Sequence, residues 1–164
     1  MSNENKIKLL MVDDEIKFLE SISKRLALKN FDVTAAATGR EAIESAEKGL
    51  FDVAVVDFQM PGMDGVQVLN ALKERHKYIE IIMLTGHATV DSAVEATKLG
   101  AFKYLEKPYA FEKLVEVIKE AYEARLKKKF EHNKKRMDEI QKLSFGQSPL
   151  GILRALADLD NEEK

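Results

Sequence analysis

The chain has 164 residues, 45% of them hydrophobic and 33% charged, with a formal net charge of −2; this balance suits one folded domain with an appendage and excludes a disordered polymer. It has no cysteine, which rules out disulfides, a thiol nucleophile and a thiolate metal site. A charge so near neutral gives no global reason to expect nucleic acid as a ligand.

The segment from Met1 to Lys6 is polar, and the first apolar run, Ile7 to Val12, is interrupted by Lys8 and stops at Asp13. That is too short for a signal peptide or a membrane span, so the expected location is cytoplasmic. Ile7–Val12 reads as a strand buried on both faces, and Ile16, Leu19, Ile22 and Leu26 follow at helical spacing. A second strand is expected at Asp32–Ala36. Thr38 followed by Glu41 reads as a capping box opening the second helix. Val53–Val56 is the third strand, with Val66, Leu69 and Leu72 marking the next helix. Glu80–Leu84 and Lys103–Leu105 are strands four and five. After Tyr109, the residues Phe111, Leu114, Val115, Ile118 and Tyr122 form a last apolar stripe.

Strand–helix alternation of this kind predicts an α/β domain, a doubly wound five-stranded parallel sheet with helices on both faces. The flavodoxin-like order 2-1-3-4-5 is preferred for five strands. The domain is expected over residues 1–124, followed over 125–164 by a helical extension and tail with no separate globular domain. Lysines and Arg136 dominate this second stretch, which reads as the last helix continuing to about Leu143. Ser148 and Pro149 then form an N-cap and first-turn pair that opens a short helix bearing Leu150, Leu153, Leu156 and Leu159.

Polar residues end the strands, at the edge where open α/β sheets bind ligands. Asp13 and Asp14 follow the first strand, Asp57 the third, Thr85 the fourth, and Lys107 lies just past the fifth. Singly, each has an ordinary reading: an N-cap for Asp13 or Asp14, a turn for Thr85-Gly86, a solvated lysine. Together they are harder to dismiss. If strands one and three are neighbours, three carboxylates converge, and such crowding calls for a cation. Oxygen ligands suit Mg²⁺. A carboxylate held this way can attack phosphorus, with Lys107 and the Thr85 hydroxyl neutralising phosphoryl oxygens. Gly86 beside Thr85 is expected to leave room for the phosphoryl group.

Four stretches in order carry a resemblance: Asp13-Asp14-Glu15, the stretch Val56-Asp57-Phe58-Gln59-Met60-Pro61-Gly62-Met63-Asp64-Gly65, Leu84-Thr85-Gly86, and the run from Gly100 to Pro108. The chain resembles a response-regulator receiver domain of two-component signalling over roughly Lys6 to Tyr122, and the wording around Thr85–His87 and Ala101–Pro108 is similar to receivers of σ54 activators. The resemblance implies that Asp57 accepts a phosphoryl group from a histidine kinase. It implies that Asp14 and Asp57 bind Mg²⁺ directly, that Asp13 helps mainly through water, and that the main-chain carbonyl of Gln59 completes the protein ligands. It gives Thr85 and Lys107 contacts to the phosphoryl group, makes Tyr104 the aromatic switch, and implies a cis Lys107–Pro108 bond. Gln59 and His87 either flank the path of water to the phosphoryl group or simply face solvent. His76 and His132 read as surface residues.

The resulting expectation is a phosphorylation-controlled binding module, not an enzyme acting on other molecules. Its target is a protein, bound at the face formed by the helix before strand five, that strand and the helix after it. The alternative is a haloacid-dehalogenase-like, Mg²⁺-dependent phosphatase with Asp13 as nucleophile; Asp13-Asp14-Glu15 matches its Asp-x-Asp start poorly. No direct nucleic-acid or membrane binding is expected, since a run of basic residues is more often a solvated helix face. The seam formed by Leu126, Phe130, Met137 and Ile140, with Asn133 within it, suggests a homodimer through the fifth helix and its extension. The other reading of that stripe is a helix folding back on its own domain. Similarity to activators favours a fragment of a longer chain, and the polar end Asn161–Lys164 favours a natural terminus.

Overall fold

A computed structural model of the chain describes residues 6–58, 60, 62, 64–86, 94, 95, 97–143 and 157. Strands β1 (Lys8–Val12), β2 (Asp32–Ala36), β3 (Val53–Asp57), β4 (Glu80–Thr85) and β5 (Lys103–Glu106) pair in parallel in the order β2-β1-β3-β4-β5. The helices are α1 (Ile16–Leu28), α2 (Gly39–Lys48), α3 (Gly65–Arg75) and a long helix, Phe111–Leu143. This is the expected sheet and the expected order. Two compact units divide the chain, Met1–Arg125 and Leu126–Lys164, the long helix contributing to both.

The runs Leu9–Val12, Val53–Val56 and Ile81–Leu84 in β1, β3 and β4 are continuously apolar because alternate residues enter different cores. Leu9, Met11, Val53, Val55, Ile82 and Leu84 pack with α1 and with Phe111, Leu114, Val117, Ile118 and Ala121 of the long helix. Leu10, Val12, Ala54, Val56, Ile81 and Met83 face the other way, against Ala42 and Ala46 of α2 and Val68, Leu69 and Leu72 of α3. Burying both faces removes the polar alternation that a half-exposed strand would show.

Local signals differ from expectation in three places. Ile16 shares the helical spacing of Leu19, Ile22 and Leu26 but is 61% exposed while those three are buried, because it is the first residue of α1 and lies outside the packed turn. At α2 the Thr38 hydroxyl accepts from the Glu41 N–H, as a cap should, but the Glu41 carboxylate accepts from the Ala37 N–H at 2.8 Å instead of from Thr38. The full capping box belongs to α3, where Asp64 and Gln67 exchange both bonds; the inward residues there are Val68, Leu69 and Leu72, with Val66 half-buried. The short helix expected from Ser148 lies outside the described residues, apart from the helical Ala157.

Candidate functional site

Register sets the site. Val12 of β1 stands beside Val56 of β3, so the next residues, Asp13 and Asp57, come side by side at the end of the sheet. One carboxylate oxygen each from Asp13, Asp14 and Asp57 lies within 4.8 Å of the others. Asp13 is fully buried and Asp57 nearly so, while Asp14 is exposed. Of the four buried polar or charged residues among those described, three (Asp13, Asp57 and Thr85) belong to this edge of the sheet. Asp13 also serves the ordinary structural purpose, its Oδ1 accepting from the Glu15 N–H at 2.9 Å ahead of α1.

The counter-charge comes from the loop after β5. Lys107 Nζ donates to Asp13 Oδ2 at 2.7 Å and stands 3.9 Å from Asp57 Oδ2. Its N–H donates to the Thr85 carbonyl at 2.6 Å, which ties the loop to β4, and its ammonium sits 4.8 Å from the centre of the Phe18 ring. Burial, the largest single influence, pulls the Lys107 pKa down, but the hydrogen bond to Asp13 and the charges of Asp13, Asp57 and Glu15 outweigh it and hold the value above the usual lysine range. The ammonium is therefore kept charged. The Lys107–Pro108 bond is cis.

Three carboxylates and one ammonium leave the pocket net negative, and their hard oxygen donors fit Mg²⁺. Ligand oxygens around an octahedral ion at about 2.1 Å stand roughly 3–4 Å apart, comparable with the separations of up to 4.8 Å among these carboxylate oxygens.

Thr85 is buried at the end of β4, paired in register with Glu106. Two positions along β5 from Glu106, the half-buried Tyr104 meets Phe58 edge-on, with ring centres 6.4 Å apart. Phe58 follows Asp57 and donates its N–H to the Leu84 carbonyl at 2.7 Å. Tyr104 thus touches the residue next to the carboxylate cluster. A Cβ at Gly86 would meet no described atom within 4 Å. Gln59, Pro61, Met63 and His87 lie outside the described residues. His76 is half-buried, its Nε2 hydrogen-bonding the Ala46 carbonyl at 2.8 Å.

Gly65 and Tyr109 also shape the site. A Cβ on Gly65 would come within 2.5 Å of the Asp57 carbonyl oxygen and 2.8 Å of the Phe58 Cα; only glycine lets α3 begin against the end of β3. The Asp64-Gly65 pair was the available signal. Tyr109 lines a cavity of about 380 Å³ with Phe18, Ile22, Arg25, Lys107, Pro108 and Phe111. Its hydroxyl is buried without a hydrogen-bond partner, and burial, followed by the nearby Asp13, pushes its pKa well above the usual phenol range. Nothing in the spacing of Tyr109 announces this.

Residues 9–119 match the family described as the response regulator receiver domain. The transcriptional regulatory protein ZraR of Escherichia coli (strain K12) is 34% identical over 121 residues, covering 74% of this chain and 27% of ZraR. The CheY-like receiver domain protein of Methanospirillum hungatei JF-1 superposes with a TM-score of 0.72 at 30% identity, covering 76% of this chain and 99% of that one. The beryllofluoride-activated NtrC4 receiver domain dimer gives a TM-score of 0.68 at 38% identity over 72% of this chain and 98% of that one. The chain belongs to the response-regulator receiver family, signalling domains of two-component systems that accept phosphate on an aspartate and bind Mg²⁺ at an acidic pocket. It spans about a quarter of the length of ZraR. The phosphatase alternative finds no support in these matches, and its nucleophile, Asp13, is fully buried and bonded to Lys107. Among the described residues no helix is long and apolar enough to cross a membrane.

Proposed function

We propose that Asp57 is the phosphoacceptor of this receiver, that Asp13, Asp14 and Asp57 with the Gln59 carbonyl hold Mg²⁺, and that a cytoplasmic histidine kinase is the donor. The observation that carries the reading is the meeting of Asp57, Asp13 and Asp14 at one strand edge with Lys107 beside them. Bound Mg²⁺ supplies neutralisation of charge on the phosphoryl oxygens. An Asp57 carboxylate oxygen attacks phosphorus as the P–N bond to the donor imidazole breaks. The products are an acyl phosphate and an imidazole that takes up a proton. Sheet register presents the Asp57 carboxylate at the strand edge, and Lys107, turning from Asp13 toward the new phosphoryl oxygens, offsets part of the negative charge that the phosphoryl group adds. The Thr85 hydroxyl donates to one of them. Drawing Thr85 inward shifts the Tyr104–Phe58 contact and so biases the binding surface that includes β5.

A downstream protein is the target of that surface. Self-association through the long helix, suggested by its apolar spacing, is the competing use of that helix; its excess of basic charge argues against a second copy. Intact-mass measurement after treatment with acetyl phosphate tests the assignment. A base-labile gain of one phosphoryl group that needs Mg²⁺ and disappears in Asp57→Asn is expected. Undiminished labelling in Asp57→Asn would overturn it.

A further inference from the structure

Past Arg125 the long helix carries a stripe that the carboxylate site does not use. Leu126, Phe130, Asn133, Met137 and Ile140 recur at intervals of four, three, four and three, the spacing of a coiled-coil seam. Leu126 is 44% exposed, Phe130 68% and Met137 40%; Asn133 is also exposed, and Ile140 is half-buried. Three large apolar side chains in one stripe facing water mark a contact surface more than scattered exposure would.

The residues bordering the stripe identify its partner. Lys127 and Lys134 line one side and are exposed, while Lys129 and Arg136 line the other and are half-buried. In a coiled coil these flanking positions face the partner's flanks and set partner choice and orientation. A parallel second copy would place Lys129 against Lys134 of the first. An antiparallel copy would set each flank against itself, again cation against cation. Between Leu126 and Leu143 there are seven basic residues and three acidic ones, so no shift of register brings enough carboxylates into place.

We propose that this face docks an acidic amphipathic helix of a different protein, with apolar side chains on Leu126, Phe130 and Met137 and carboxylates against Lys127 and Lys134. Duplex DNA would satisfy the lysines but leave Phe130 and Met137 in water. An anionic bilayer prefers a broad apolar face, whereas this stripe is two residues per heptad wide with Asn133 in its middle.

Fluorescence anisotropy at physiological salt, with the full chain and labelled synthetic helical peptides, tests this. One peptide carries leucine at its seam and glutamate at both flanks; the other carries lysine at the flanks. The glutamate peptide is expected to bind and the lysine peptide not to. The exposed double variant Lys127→Glu/Lys134→Glu should weaken the glutamate peptide about tenfold and gain the lysine peptide. Phe130→Ala should weaken the glutamate peptide, with circular dichroism unchanged in all variants. Failure of the glutamate peptide to bind, or equal binding to the double variant, would overturn the proposal. So would a dimer of the unphosphorylated full chain that Phe130→Ala dissolves. Phosphatidylserine vesicles or duplex DNA that the glutamate peptide cannot displace would equally assign the face to a different occupant.

Discussion

Alanine at Gly65 probes how closely α3 is held to the end of β3. The added Cβ would lie 2.5 Å from the Asp57 carbonyl oxygen, 2.8 Å from the Phe58 Cα and 2.8 Å from the Met83 Cε. The Met83 methyl can swing aside; the two backbone atoms cannot. Ordinary contact begins at 3.4 Å, so the methyl lacks about 0.9 Å of room against the carbonyl. Relief requires α3 and the connection before it to move away from Asp57 by a comparable distance. Overpacking of this kind costs about 1–3 kcal/mol, and alanine's better helix propensity returns at most about 1 kcal/mol. A net loss of about 1–2 kcal/mol should lower Tm by roughly 3–8 °C. Because the connection that must move joins directly onto Asp57, whose carbonyl is the clashing atom, the strain reaches the acceptor, and phosphorylation by acetyl phosphate should slow at least about tenfold, as misplacement near 1 Å commonly costs more. Thermal unfolding by circular dichroism and a mass-spectrometric time course read the two effects. Gly86→Ala is the control, since no described atom lies within 4 Å of its Cβ; its stability should stay within about 0.5 kcal/mol of the parent. Wild-type Tm and rate for Gly65→Ala, or equal damage from Gly86→Ala, would refute the steric reasoning.

Lys107→Ala strips the fully buried Asp13 of the ammonium 2.7 Å away and should cost the metal-free protein about 3 kcal/mol. Mg²⁺ should then raise its Tm more than that of the parent, while phosphorylation-dependent spectral change is lost; weaker Mg²⁺ binding with intact switching would contradict the assigned role. Alkaline pH should destabilise the fold through two groups. Lys107 has a raised folded-state pKa, so its contribution is complete below its unfolded value of about 10.4 and is lost as pH climbs through the folded one. Tyr109, also raised, stays neutral when folded while the unfolded phenol ionises near about pH 10, which drives stability the same way. Urea midpoints between about pH 8 and 11 should fall above about pH 10, less steeply in Tyr109→Phe; phenolate absorbance from Tyr109 at its ordinary pH in the native protein would count against this.

The strands were legible because burial on both faces leaves short, continuously apolar runs, as in Val53–Val56, and the acceptor edge was legible because Asp13, Asp57 and Thr85 each end such a run. Helix spacing was a coarser guide. It grouped Ile16 with three buried neighbours, and only position within α1 separates them. Adjacent aspartates show the limit most clearly: Asp13 is fully buried and Asp14 exposed, a difference decided by which carboxylate turns back under Lys107. That pairing joins residues 94 apart, and no local pattern encodes it. Gly65 and Tyr109 belong to the same class. Their constraints come from atoms that are neighbours only after β3, β4 and α1 are assembled around them. Local periodicity and the chemistry of strand ends therefore determined the elements and the carboxylate cluster, while tertiary packing decided which cation faces which carboxylate and where a single methyl group cannot fit.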